Sequence, residues 1–136
     1  INLTANWRLI RAFDQGLRLS DAGRVIMVTS GAAAGAFAYW GAYAVSKYAV
    51  EGFAKLLAEE IAQTTSVDLT VVNPGATQTA MRRQAYPAEN PADLPIPDTV
   101  AARYLALLDP DNQRQGARRM TSDGSLIALN ETSKPL

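Results

Sequence analysis

Two short apolar runs constrain this chain more than anything else in it: Val25-Ile26-Met27-Val28-Thr29, and the stretch from Val67 to Val72. Each is bounded by loop signals. Ser20-Asp21-Ala22-Gly23 precedes the first, and Asn73-Pro74-Gly75 halts the second. Pro cannot continue a central strand, and Gly permits an unusual backbone turn. Nearly continuous apolar runs of this length suit strands covered on both faces, as in a parallel sheet.

Helical patterns alternate with these runs. Residues 2–18 carry Leu3, Trp7, Ile10, Ala12 or Phe13, and Leu17 at three-to-four spacing, which predicts an amphipathic helix. Residues 30–41 are small and irregular. A long helix is expected from about Ala42 to Thr64, with Val45, Ala49, Phe53, Leu56, Leu57 and Ile61 on one face and Glu51–Lys55 as an i,i+4 pair on another. Residues 76–97 hold no strong pattern beyond a helical turn at Thr79–Gln84. Pro87, Pro91, Pro95 and Pro97 mark the region as a surface excursion. Asp98 is expected to cap a helix over Thr99–Leu108, which stops at Asp109-Pro110. Arg119-Met120-Thr121-Ser122 is a weak strand, and 125–136 reads as a flexible tail. The sum is one alternating α/β unit, a doubly wound parallel sheet over 1–136, in which ligands bind beyond the carboxyl ends of the strands. Two segments start there, one at Ser30 and one at Pro74.

Composition narrows the chemistry. The chain has 136 residues, 48% of them apolar, so it holds one domain at most. Lys plus Arg equals Asp plus Glu at 13 each, and no global field draws it to nucleic acid or an anionic membrane. The chain lacks Cys and His, which excludes disulfides, Cys/His metal sites and every Ser-His or Cys-His nucleophile pair within it. A Ser hydrolase built around Thr29-Ser30-Gly31 fails for want of that base. The chain begins at Ile1 with a helix already under way, and it has neither a signal peptide nor a membrane-length apolar run. The expectation is a soluble cytoplasmic protein lacking an N-terminal part.

Only three Lys stand against ten Arg, and one of them, Lys47, follows Tyr43 by four residues. That spacing puts both side chains on one helix face. An ammonium beside a phenol favours the phenolate, which makes Tyr a general acid/base for the job His cannot do here. The rival reading is a Tyr and a Lys on a solvated face. Context bears on the choice: Ser30 lies thirteen residues before Tyr43 at the end of the first apolar run, and Asn2 lies twenty-eight before Ser30.

With these residues the chain resembles the short-chain dehydrogenase/reductase family. The family's Tyr-x-x-x-Lys falls on Tyr43 and Lys47, its catalytic Ser on Ser30, and its helix Asn on Asn2. Its Pro-Gly motif, with a Thr a few residues on, falls on Pro74, Gly75 and Thr79. The resemblance runs from Asn2 to about Asp123, from the fourth helix to the seventh strand of that Rossmann-like fold. It implies hydride transfer between NAD or NADP and a carbonyl or alcohol, with Tyr43 moving the proton. It gives Lys47 the nicotinamide ribose, Ser30 the substrate oxygen, and Asn2 a water that links Lys47 to solvent. It places Pro74, Gly75 and Thr77 against the nicotinamide and Thr79 at its carboxamide or the pyrophosphate. It also implies a substrate loop over 80–97 and a homodimer or homotetramer packed through the two long helices, with Trp7 and Phe53 at the interface.

The departures are specific. No Gly-x-x-x-Gly-x-Gly turn is present, nor are the strands that precede the fourth helix, so the isolated chain is expected to be inactive. An inactive nucleotide-binding or scaffold protein of the same fold is the alternative. Thr29 competes with Ser30 for its role, though the spacing favours Ser30. Gly31, Tyr39 and Trp40 lie where a substrate pocket or simple packing would use them. Arg82-Arg83 reads as surface or as an anion site, and Arg118-Arg119 as surface.

Overall fold

The computed structural model describes residues 1–109, 111 and 116–129. Its elements follow the alternation of the sequence. They are α1 (Asn2–Leu19), β1 (Arg24–Val28), α2 (Gly41–Ala62), β2 (Asp68–Val72), α3 (Ala80–Ala85), α4 (Pro97–Leu108), β3 (Arg118–Met120) and β4 (Leu126–Ala128). Single 3-10 turns stand at Gly31–Ala33 and Pro91–Asp93. Among the described residues, no helix is long and apolar enough to cross a membrane.

The strands lie in the order β1-β2-β3-β4. β1 pairs parallel with β2 from Arg24↔Asp68 to Val28↔Val72, and β2 pairs parallel with β3 from Thr70↔Arg118 to Val72↔Met120. β3 and β4 are antiparallel, so the sheet is mixed rather than wholly parallel. This corrects the reading of 125–136 as a flexible tail over its first part. The turn that reverses the chain is held by the Ser125 N–H donating to Asp123 Oδ1 at 2.9 Å and by the Thr121 hydroxyl donating to the same oxygen. Leu129 is then buried, its N–H donating to the Ala117 carbonyl at 3.2 Å. Residues 130–136 lie outside the described residues.

Apolar clusters cover both faces of the sheet. On one, Val25, Met27, Leu69 and Val71 pack against Val50, Ala54, Leu57, Ala58 and Ile61 of α2, with Ile10 and Leu17 of α1 at the margin. On the other, Val72 and Met120 meet Leu107 of α4, with Ile26 and Tyr104 beside them. β2 is buried at every position because it is flanked by strands and covered on both faces. Burying one side chain such as Leu69 contributes about 1.5–3 kcal/mol. β1 is the sheet edge, and Val28 is half exposed there.

Two helix assignments shift. The buried face of α2 runs through Val50, Ala54, Leu57, Ala58 and Ile61, while Val45 and Leu56 face outward. The helix carries apolar residues on two faces, and the sheet takes the one built of smaller side chains, which allow close approach. α4 starts with Pro97 in its first turn and Ile96 as N-cap, so Asp98 sits inside the helix rather than capping it.

Candidate active site

The carboxyl ends of β1 and β2 deliver their loops side by side. The Thr29 N–H continues the ladder to the Val72 carbonyl at 2.8 Å, and the Asn73 N–H does the same to Met120 at 2.9 Å. Ser30, in extended conformation, is the next residue out. Its Oγ accepts from the Ala32 N–H at 3.2 Å and so caps the 3-10 turn on which α2 packs. The hydroxyl hydrogen of Ser30 remains available to another acceptor. Thr29 is excluded from that role: its side chain is buried and donates to Glu51 Oε1 at 2.9 Å.

Tyr43 and Lys47 lie one turn apart on α2, with the ammonium 5.8 Å from the centre of the phenol ring. Lys47 Nζ donates to the Val28 carbonyl at 3.0 Å, two residues before Ser30. Partial burial penalises its charged form and lowers its pKa from the ordinary 10.5. Asn2 joins the same helix by another route. Its Nδ2 donates to Ser46 Oγ at 2.9 Å, and Ser46 in turn donates to the Tyr43 carbonyl at 2.7 Å.

The Pro74 loop turns at Gly75, whose φ is +73°, a conformation that L side chains resist. The Asn73 side chain holds the turn by accepting the Gly75 N–H at 3.1 Å, and Thr77 Oγ1 lies 3.4 Å from the Gly75 carbonyl. Thr79 caps α3, accepting the Arg82 N–H at 3.1 Å. Tyr39 is fully exposed with a φ of 68°.

Around these residues stand three side chains that carry no signal in the sequence: Phe37, Tyr86 and Glu89. Phe37, Trp40 and Tyr43 form a chain of rings 5.8 Å apart, and Tyr86 from the proline-rich excursion meets Trp40 at 6.1 Å. Arg82 lies 3.6 Å above the Tyr86 ring and makes a bidentate pair with Glu89 at 2.7 Å for each bond. The Glu89 hydrogen bonds raise the Arg82 pKa, and Arg82 lowers that of Glu89. Arg82 is therefore a fixed member of the loop, while Arg83 stays exposed.

Arg118 and Arg119 are both buried, against the expectation of surface residues. β3 lies between β2 and β4, so its side chains enter the faces of the sheet. Arg119 forms a bidentate pair with Glu51 at 2.7 and 2.6 Å, and this hydrogen bonding raises its pKa. Glu51 thus turns inward to Arg119 instead of pairing with Lys55 on the helix surface.

The family model of short chain dehydrogenase matches residues 1–90. The chain is 39% identical over 115 residues to the uncharacterised oxidoreductase YciK of Escherichia coli K12, covering 85% of this chain and 45% of that protein. A short chain dehydrogenase from Salmonella enterica serovar Typhi superimposes with a TM-score of 0.80 at 36% identity, over 88% of this chain and 49% of that one. One from Shigella flexneri 2a, complexed with NADP, gives 0.78 at 38% identity, over 88% and 49%. The chain therefore spans about half the length of the relatives it matches. On the strength of the family match and these likenesses in sequence and fold, the chain belongs to the short chain dehydrogenase family.

Proposed function

We propose that these residues form the catalytic half of an NAD- or NADP-dependent oxidoreductase acting between a carbonyl and an alcohol. The observation that carries this reading is the Tyr43–Lys47 pair on one face of α2, with Lys47 bound to the Val28 carbonyl at the carboxyl end of β1, two residues before Ser30. When bound, the dinucleotide supplies or accepts the hydride. The Tyr43 hydroxyl gives a proton to the substrate oxygen in reduction and takes it back in oxidation. Ser30 orients that oxygen with its free hydroxyl hydrogen. Gly31 and Trp40 flank the substrate, with Tyr39 at the rim. Asn2 holds a water on the route from Lys47 to solvent.

The residues present fit the nicotinamide end of the cofactor. Lys47 spends one of its three hydrogens on Val28 and keeps two for ribose hydroxyls. Gly75 allows the left-handed turn that packs against Ser122, and this turn carries Pro74, Gly75 and Thr77 to the nicotinamide side of the site. Thr79 retains its hydroxyl hydrogen after capping α3, for the carboxamide or pyrophosphate. The pyrophosphate itself has no Gly-rich helix start here, so the 136 residues alone bind the dinucleotide weakly and turn over no substrate. Leu3, Trp7 and Phe13 on α1 and Val45 and Leu56 on α2 are exposed and would meet a second copy in a homodimer or homotetramer.

The test is the native-length protein with NADPH and a panel of ketones and aldehydes. Tyr43→Phe should lower kcat by about 10²–10⁴-fold while leaving NADPH affinity nearly intact. A Tyr43→Phe enzyme with most of its rate would refute the assignment. NADPH binding with no turnover on any carbonyl would favour an inactive nucleotide-binding protein.

A further inference from the structure

We propose that Glu51 is a positioning residue, which sets Tyr43 and Lys47 in place relative to Ser30 through a buried clamp on Thr29 and Arg119. The proposal rests on the catalytic reading above and extends it to three side chains outside the reacting set. Glu51 follows Lys47 by four residues and Tyr43 by eight, so all three project from neighbouring turns of one side of α2. Its carboxylate takes three hydrogen bonds: Thr29 Oγ1 at 2.9 Å and Arg119 Nη1 on Oε1 at 2.7 Å, and Arg119 Nη2 on Oε2 at 2.6 Å.

These partners come from the elements whose relative placement matters. Thr29 is the residue before Ser30, and its N–H fixes the end of β1 to Val72 of β2. Arg119 pairs in register with Val71 of β2. One carboxylate thus pins the catalytic helix to the end of β1 and to β3, the two strands that flank β2, and it does so from within: Thr29 is 2% exposed and Glu51 and Arg119 are 9% each. Packing alone does not call for this arrangement. A buried ion pair is often matched or exceeded in stability by apolar side chains of similar volume, and Val50 and Ala54, near Glu51 on α2, are themselves buried apolar core residues. What apolar packing lacks is direction. A bidentate guanidinium and a hydroxyl on one carboxylate fix the rotation and translation of α2 against the sheet.

The experiment separates positioning from stability in the native-length protein. The apolar pair Glu51→Leu with Arg119→Met should keep a cooperative urea transition at or above the wild-type midpoint. It should lose about 10–100-fold in kcat, with the KM for NADPH held within about twofold. Thr29→Val should lower kcat in the same direction, and Thr29→Ser, which restores the hydroxyl, should recover it. Wild-type kcat in the folded apolar pair overturns the proposal. Should that pair fail to fold, the Thr29 variants decide: equal kcat in Thr29→Val and Thr29→Ser overturns it as well. Tyr43→Phe, run in parallel, tells the two readings apart. Retained rate there removes the catalytic assignment itself, whereas lost rate there with full kcat in the Glu51 and Thr29 variants removes only the clamp.

Discussion

Replacing Gly75 by Ala tests whether the loop beyond β2 is as constrained as its geometry implies. The residue sits at φ +73°, where an L side chain costs about 1–2 kcal/mol. Ala also narrows the unfolded ensemble, which returns about 0.4–1 kcal/mol. The new Cβ would lie 3.1 Å from Ser122 Cβ, closer than ordinary packing by a few tenths of an ångström. Ser122 cannot simply withdraw, because its carbonyl accepts Arg103 Nη1 at 2.7 Å. The crowding therefore adds to the backbone cost, for a net loss of about 1–2 kcal/mol. Urea denaturation should show the midpoint falling by about 0.5–1 M with an unchanged slope. In a Ser122→Gly background the crowding disappears, and Gly75→Ala should then cost measurably less. An unchanged midpoint for Gly75→Ala would refute the argument. Equal losses in the two backgrounds would refute its steric half.

Tyr86→Ala removes the ring that touches both Trp40 and Arg82. An aromatic pair and an exposed cation–π contact together hold the loop by about 1–2 kcal/mol. The KM for the carbonyl substrate should rise up to about tenfold with kcat nearly constant, and a fall in kcat at constant KM would contradict a substrate-side role. Asp123 offers a pH test. The Thr121 hydroxyl, then the Ser125 N–H, lower its pKa from 3.8 to about 2. A depressed carboxylate stabilises the fold above its unfolded pKa, and that contribution fades as pH falls through the folded one. The gap in unfolding midpoint between wild type and Asp123→Ala should be full above about pH 4 and close towards about pH 2; a gap constant with pH would contradict it.

Much of the fold is legible because period and punctuation agree. β1 and β2 stand where the apolar runs end in Gly, Asn and Pro, and α1 and α2 match their patterns to within two residues at each end. β4 is hidden because three residues between a polar turn and Leu129 carry too little pattern to distinguish a strand from a tail. The inward face of α2 is obscured by apolar residues on its outer face. Burial of Arg119 cannot be read locally, since the carboxylate that makes it tolerable lies 68 residues away. Arg82, Tyr86 and Glu89 are illegible for a different reason: they are near neighbours in the chain, but they come together in a segment without any period. Asn2, Ser30, Tyr43 and Lys47 stand out only through their spacing in a known pattern. Neither their contacts nor the Lys47 bond to Val28 is contained in that spacing.

The hydrogen bonds from α1 to α2 also have a polarity. The Tyr43 carbonyl can only accept, so the Ser46 hydroxyl must spend its single hydrogen there. Ser46 Oγ can then only accept from Asn2, which fixes the amide with its nitrogen toward α2. Asn2 Oδ1 is left as an acceptor facing away from Ser46. The one-way order of the chain thus dictates that any water held by Asn2 Oδ1 is held by one of its own hydrogens. Such a water keeps its oxygen free to receive a proton. An ionised Asp at this position could only accept, so it would draw the single Ser46 hydrogen away from the Tyr43 carbonyl.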